Sequence, residues 1–162
     1  RASFNFPRQT KTDGLCLSDY VSAKSNQDNV CLFIVSAGEG IRELAEEWKE
    51  SGNYFKSHAL QALALETAEG YAEMLHTKLR AMWGIADPVE MTMMQRFQCK
   101  YQGCRFSFGY PACPNLDDQN ILFSLLEPAQ IDIQLTEGDM MEPEASVSAL
   151  AFHHPQAAYF SV

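Results

Sequence analysis

The sequence predicts an α+β fold in which a twisted, mostly antiparallel sheet is flanked by helices. An apolar, β-branched run near residue 30 predicts one early strand, and helical patterns then dominate until about residue 126. Alternating or β-branched segments return only after residue 130. This order of strand, helices, loop, helix and strands is typical of α+β proteins and differs from repeated βαβ units. With 162 residues, of which 46% are apolar, the chain is predicted to form a single domain.

The first half of the chain predicts one strand and two helices. Val30 to Val35 is a continuous apolar run typical of a buried strand. After a turn at residues 36–40, the segment 41–49 is rich in Glu, Leu and Ala and predicts a helix. A long amphipathic helix is predicted over about 54–83, because apolar residues recur at three- and four-residue steps until Gly84. Its predicted core-facing residues are Leu60, Leu63, Ala64, Ala68, Tyr71, Ala72, Leu75, Leu79 and Met82.

The second half predicts short elements around a loop rich in proline. Pro88 suits the first turn of a helix, so residues 89–101 are predicted to be helical. Asn115 offers a cap for a helix over 119–126, which ends before Pro128. Clean alternation at 131–135 predicts a strand with one solvated face. Residues 138–145 are predicted to form a loop, and 147–152 and 157–162 two further strands.

Composition excludes several classes of function. Twelve basic and 21 acidic residues give a net charge of −9 without any Lys/Arg cluster, so a nucleic-acid partner is not expected. No apolar run approaches the length of a membrane span. The start, Arg1 to Phe4, is neither a methionine nor a signal peptide, and we therefore expect an excised piece of a longer protein.

The five cysteines are irregularly spaced and form no C-x-x-C pair. This pattern favours free thiols in a reducing, cytoplasmic setting over a metal ribbon or a disulfide framework. Cys104 and Cys113 lie on either side of one loop and could pair if oxidised.

The most informative segment is Arg105-Phe-Ser-Phe-Gly-Tyr-Pro-Ala-Cys-Pro114. It has neither helical nor strand periodicity. Its two prolines hold the preceding residues, Tyr110 and Cys113, extended, and Gly109 permits a backbone shape that a Cβ would forbid. Arg105 offers a planar fork that binds carboxylates bidentately. The segment therefore predicts a stiff loop for a ligand with one anionic and one flat end, although Arg105 could instead pair with a structural acid.

Other patterns give weaker candidates. Gly38-Glu-Gly40 follows the first strand, as in dinucleotide-binding or methyltransferase folds, but Glu43 stands where a third glycine is required. A plain strand-to-helix turn is the alternative there.

A polar stripe along the long helix is the next candidate. Glu73 and His76 have the E-x-x-H spacing of di-iron bundles, but the chain has no second copy, so a solvated or loop-facing stripe is expected. The stripe comprises Glu66, Glu69, Glu73, His76 and Arg80.

A thiol nucleophile is the last of these candidates. Cys113 with His153 or His154 could form a nucleophile and base. A packed cysteine is the alternative.

The segment from Arg105 to Pro114, called the proline loop below, resembles the R-x-x-x-G-Y-P-A-C-P signature of the S-adenosylmethionine-binding activation domain of cobalamin-dependent methionine synthase. The resemblance runs in order through essentially the whole chain. Further similar segments are Pro7-Arg-Gln9, Leu15 to Tyr20, Ala68 to His76, Trp83-Gly84, Tyr101-Gln-Gly103, Leu135-Thr-Glu137, Ala145 to Ser148, His154-Pro155 and Tyr159-Phe160.

The resemblance implies a function in repair. A cobalamin-binding module of the same parent chain would dock against this domain, and a flavodoxin-type donor would reduce inactive cob(II)alamin. Bound S-adenosylmethionine would then methylate the cobalt, so that the chain supports methionine biosynthesis as part of a methyltransferase. The alternative is a stand-alone module that senses S-adenosylmethionine or docks a separate corrinoid protein.

The resemblance also implies the ligand-binding residues. They lie in the motif (Arg105, Gly109, Tyr110, Pro111, Ala112), in the predicted last strand (Tyr159, Phe160) and on the long helix (Glu69). Arg105 would take the methionine carboxylate and Glu69 would favour the cationic end. No catalytic residue and no metal ligand are assigned.

The sequence departs from the family pattern in two respects. Cys99 stands where the family has a second acid, and a ligand-binding aspartate of the N-terminal part of the family domain has no counterpart. Residues 1–162 are therefore expected to be the C-terminal part of an activation domain whose N-terminal part is missing.

Overall fold

A computed structural model of the protein describes residues 1–24 and 28–162. In chain order, its helices and strands are β1 (Cys31–Ser36), α1 (Ile41–Glu50), α2 (Tyr54–Met82), α3 (Met93–Phe97), β2 (Cys104–Phe106), α4 (Asp118–Leu126), β3 (Gln134–Leu135), β4 (Met141–Glu142) and β5 (Ser146–Phe152). Two short 3-10 segments, Leu17–Tyr20 and Pro128–Ile131, complete the regular structure. The α+β prediction is confirmed.

The main sheet is small and antiparallel. Its strand order is β1-β5-β2, and both strand pairs are antiparallel. The strands β3 and β4 form a separate antiparallel pair. Because β5 lies between β1 and β2, all seven of its residues are buried, as expected for a central strand covered on both faces.

Alternation along β5 divides the core into two layers. Ala149 and Ala151 face a cluster with Phe33 of β1 and with Ala68 and Ala72 of α2. The residues between them face the opposite way, because side chains alternate along a strand. That second layer is largely aromatic and contains Leu17, Tyr20, Phe106, Phe108, Leu122, Leu150, Phe152 and Phe160. The sheet is therefore covered by α2 on one face and by loops and α4 on the other.

Helix α2 lies where the sequence predicts it, but it buries a narrower face than predicted. The buried stripe runs at four-residue steps through Ala64, Ala68, Ala72, His76 and Arg80. Leu63, Tyr71 and Met82, predicted to face the core, are exposed. Small alanine side chains let the helix approach the sheet closely, which turns the larger apolar residues outward. His76 and Arg80 are fully buried and contact Tyr101 in the loop before β2, so at its C-terminal end the stripe is loop-facing rather than solvated.

Several short elements differ from their predicted form. The predicted helix over 89–101 is confined to α3, capped by Thr92 and ended before Cys99, whose φ is +50°. The predicted strand over 131–135 begins with a 3-10 turn, and the predicted loop 138–145 contains β4. Residues 157–162 have no regular structure; the N–H of Val162 bonds to the carbonyl of Pro111. Within residues 1–24 and 28–162, no helix is long and apolar enough to cross a membrane.

Candidate functional site

Strand β2 carries Arg105 to the face of the sheet that α2 covers. Arg105 pairs with Ala151 in the sheet register, and cross-strand partners share a face. Since Ala151 packs towards α2, the Arg105 side chain reaches this helix, whereas Phe106, one residue on, enters the aromatic layer. The proline loop therefore begins with a three-residue strand, and this strand fixes the direction of the arginine.

Two glutamates of α2 lie beside Arg105, and one of them is hydrogen-bonded to it. Nη2 donates to Oε2 of Glu69 at 3.1 Å, and Nε lies 3.8 Å from Oε2 of Glu73. The two glutamates are four residues apart and thus neighbours on one helix face. The Arg105 side chain is 22% exposed and that of Glu69 55%, so this ion pair is accessible to water and to ligands. An exposed pair of this kind contributes little stability.

A cavity of about 550 Å³ opens beside this ion pair. Its walls come from α2, from the segment before β2, from β2 itself, from the proline loop and from the C-terminal segment. Of the sequence-predicted site residues, it brings together Arg105, Glu69, Tyr110 and Tyr159. Other lining residues are Glu73, Gln98, Cys99, Tyr101, Gly103, Cys104, Ser107, Ala157 and Ala158.

Two tyrosines supply flat apolar surfaces at the cavity. Tyr110 is 57% exposed and Tyr159 is 55% exposed. The Tyr159 ring stacks on Phe106 with centroids 5.7 Å apart, and its burial raises the pKa of its hydroxyl. Half-exposed rings held in this way can stack on a planar ligand group. The cavity therefore combines a cation, a carboxylate and aromatic surfaces.

Hydrogen bonds and glycine geometry stiffen the proline loop. The N–H of Cys113 bonds to the carbonyl of Tyr110 at 2.9 Å, and the N–H of Gly109 bonds to the carbonyl of Cys113 at 3.0 Å. Gly109 has a φ of +79°, and a Cβ there would lie 3.0 Å from Leu116. The structure thus requires the conformational freedom that the sequence suggested for this position.

Four of the sequence-predicted site residues do not line the cavity. Ala112 and Phe160 are buried in the aromatic layer, whereas Gly109 and Pro111 are exposed on the loop. Their positions let them shape the loop and support the tyrosines. As ligand contacts they remain predictions.

A buried ion network lies behind the cavity wall. Arg80 is completely buried and donates from Nε and Nη2 to Asp87 at 2.7 and 2.8 Å. Its Nη2 also donates to Oε1 of Glu73 at 3.2 Å, and its guanidinium carbon lies 3.6 Å from the centroid of the Tyr101 ring. The Arg80 hydrogen bond holds the pKa of Asp87 below its usual range, although burial opposes this. For Arg80 itself burial acts to lower the pKa, but Asp87 raises it overall.

Sequence reasoning did not assign Glu73 and Tyr101 to the site. The Tyr101 hydroxyl donates to Oε2 of Glu73 at 3.0 Å, and both residues line the cavity. The four-residue step from Glu69 to Glu73 is a signal that could have found the second carboxylate. Nothing in the local pattern around Tyr101 shows that its ring covers Arg80, because that contact joins distant parts of the chain.

The structure does not favour a metal at Glu73 and His76. His76 is completely buried with its ring edge-on to Tyr101, and burial, followed by the charges of Arg80 and Arg105, lowers its pKa to about 3. Across residues 1–24 and 28–162, no group of three or more His, Cys, Asp or Glu is placed to hold a metal ion.

The reactive-thiol candidate is also disfavoured. Burial raises the pKa of Cys113 to about 12, and its Sγ donates to the carbonyl of Ser107. All five thiols are free. Cys113 is therefore a packed residue of the loop.

A larger cavity, of about 700 Å³, lies beside Gly38. Carboxylates dominate its polar lining: Glu43, Glu46, Glu142 and Glu144 surround Arg42, which itself pairs with Glu142. A Cβ on Gly38 would lie 2.4 Å from Pro143, so this glycine serves close packing. An acidic cavity next to a packing glycine does not suit phosphate groups, and the smaller cavity at Arg105 is the better candidate.

Comparison with known proteins shows the family to which this chain belongs. The family model for the vitamin B12 dependent methionine synthase activation domain matches residues 4–162. The chain therefore belongs to this family.

The relatives are methionine synthases. The chain is 32% identical over 174 residues to methionine synthase of Mycobacterium tuberculosis (strain ATCC 25618 / H37Rv) and 30% identical to that of Mycobacterium leprae (strain TN). The two matches cover 100% of this chain. They cover only 15% and 14% of the length of the two relatives. A crystal structure of the MetH reactivation domain bound to AdoHcy is 33% identical with a TM-score of 0.77, over 82% of this chain and 41% of that one.

Proposed function

We propose that the cavity at Arg105 binds S-adenosylmethionine and presents its methyl group for the reductive methylation of cob(II)alamin. The observation that carries this proposal is the position of Arg105, whose guanidinium pairs with a half-exposed carboxylate in a cavity that two half-exposed tyrosines also line. A zwitterionic amino acid joined to a planar nucleoside matches these features. The relative whose crystal structure contains AdoHcy supports the same ligand class.

The residues divide the work by charge and shape. Arg105 binds the carboxylate of the ligand through charge-assisted hydrogen bonds. Glu69, released from Arg105 when the ligand carboxylate arrives, is left beside the ammonium and sulfonium groups. Tyr110 and Tyr159 provide the flat surfaces for the adenosine end. Binding orients the methyl group, which is the contribution that a ligand-holding domain makes to such a transfer.

The chemistry belongs to the cofactors. Cobalamin would supply the methyl acceptor: one electron from a flavodoxin-type donor would reduce it, the sulfonium methyl would pass to the cobalt, and S-adenosylhomocysteine would be the leaving group. Cobalamin is held by a separate module of the parent chain, and the repaired enzyme makes methionine. We also propose that residues 1–162 form the C-terminal part of a larger activation domain. The match covers only 41% of the solved reactivation-domain chain, which supports a larger domain, and the family resemblance supports the C-terminal placement.

Calorimetric titration of the full-length gene product with S-adenosylmethionine tests the proposal. Arg105→Ala should weaken binding by at least about 1.5 kcal/mol, the scale of a hydrogen bond to a charged group. Arg42→Ala is the matched control, because Arg42 forms a comparable exposed pair with Glu142 away from this cavity. Equal affinity of the Arg105 variant and the wild type would contradict the proposal.

A further inference from the structure

We propose that Arg80 and Tyr101 are positioning residues, which keep the Glu73 carboxylate from occupying Arg105 so that Arg105 stays available to a ligand carboxylate. The inference rests on the proposed function, because it concerns access to the same guanidinium. It adds a role for a buried ion network that does not itself need to touch the ligand.

Both oxygens of Glu73 already have donors. Oε1 accepts from Nη2 of Arg80 at 3.2 Å, and Oε2 accepts from the Tyr101 hydroxyl at 3.0 Å. Arg105 Nε lies 3.8 Å from Oε2, which is beyond hydrogen-bond distance. Glu73 is thus close enough to Arg105 to pair with it, yet its stronger contacts point elsewhere.

Glu73 would be an effective competitor if those contacts were lost. Its carboxylate is the same chemical group as the ligand carboxylate and would take the same fork of the guanidinium. It is also more buried than Glu69, with 26% of its side chain exposed against 55%, so water would screen its pairing less. Arg105 is already shared with Glu69, and a second close carboxylate would leave little of its charge for a ligand.

Arg80 and Tyr101 are built to hold Glu73 firmly. Arg80 is buried and is itself fixed by the two hydrogen bonds to Asp87. The Tyr101 ring covers the Arg80 guanidinium at 3.6 Å, which adds a cation–π contact. Burial raises the pKa of the Tyr101 hydroxyl well above its usual value, so this hydroxyl remains a donor at neutral pH.

A double-mutant cycle on the full-length gene product tests this role, with S-adenosylhomocysteine as the unreactive probe in calorimetric titration. Tyr101→Phe keeps the ring over Arg80 and removes the hydroxyl that donates to Glu73. Kd should rise on the order of fivefold, which is somewhat less than the effect of losing a full hydrogen bond to a charged group. Glu73→Gln removes the competing carboxylate beside Arg105 and should lower Kd. In the double variant the effect of Tyr101→Phe should vanish. A second cycle with Arg80→Lys, which keeps the charge but loses the fork, should show the same rescue by Glu73→Gln.

The outcomes separate the alternatives. Weaker binding by Glu73→Gln alone would make Glu73 a ligand contact and overturn the inference. An equal loss from Tyr101→Phe in both backgrounds would show a structural or direct role for Tyr101 and would also overturn it, as would no loss in either. If the wild type itself does not bind the probe, the proposed function fails, which is a separate result.

Discussion

Replacing the buried Arg80 by methionine should sharply lower the free energy of unfolding. Methionine has a comparable length and fills the space, so the loss comes mainly from leaving Asp87 buried without its partner. Asp87 is 3% exposed and its remaining cation, Arg96, lies 3.7 Å away. Removing one partner of a buried ion pair costs about 3–5 kcal/mol.

The matched control is Arg42→Met, whose ion pair with Glu142 is exposed on the arginine side. Exposed pairs contribute about 0–1 kcal/mol, so this variant should unfold almost like the wild type. Urea titration followed by far-ultraviolet circular dichroism gives both values. For a chain of this length, the Arg80 variant should also lose roughly 6–20 °C in Tm.

Adding Asp87→Asn to Arg80→Met removes the stranded charge and should restore part of the stability. A loss below about 1 kcal/mol for Arg80→Met, equal to that of Arg42→Met, would refute the account of the network as a desolvated ion pair.

Two further predictions concern the backbone at the cavity and the acid limb of stability. Gly103→Ala should lower the free energy of unfolding by about 2 kcal/mol or more, because the φ of Gly103 is +88° and a Cβ would lie 2.6 Å from the carbonyl oxygen of Phe152. Gly138→Ala is the control, because a Cβ at Gly138 would meet nothing within 4 Å. Equal urea midpoints for the two variants would contradict the prediction. The folded-state pKa of Asp87 is depressed, so its contribution is present above its ordinary pKa of about 3.9 and is lost as pH falls towards the folded value. Stability measured against pH should therefore fall more steeply below about pH 5 in the wild type than in Asp87→Asn, and parallel curves would argue against this assignment.

Sequence patterns predicted the helices and strands that are specified by residues close together in the sequence. The long helix α2 was confirmed within one residue, because its apolar periodicity is unbroken and Gly84, with a φ of +77°, can end it. The β-branched run at 30–35 gave β1 for a similar reason. The α+β class followed from the order of such elements.

Elements specified by distant contacts were predicted less well. Within residues 157–162 only Phe160 is buried, and the segment has no strand assignment in the described structure. Their position depends instead on contacts such as the hydrogen bond from Val162 to Pro111. In α2, the choice between leucines and alanines as the buried face is made by the sheet that packs on it, which the helix sequence alone does not contain.

The candidate site also contains some residues that local sequence patterns predicted and others that depend on distant contacts. The residue types in the proline loop predicted Arg105 and Tyr110 as cavity residues, whereas Glu69 was included because of the family resemblance. The contact between Arg80 and Tyr101 could not be predicted from the sequence, because it joins helix α2 to a loop 21 residues further along the chain. Long-range polar networks of this kind leave no periodic signal.

A crystal structure of the chain with S-adenosylmethionine would test the central claim most directly. We expect the ligand carboxylate within hydrogen-bonding distance of Arg105, with Glu69 turned away from it and the adenosine against Tyr110 or Tyr159. A ligand bound instead in the acidic cavity beside Gly38, with the Arg105–Glu69 pair intact, would contradict the account.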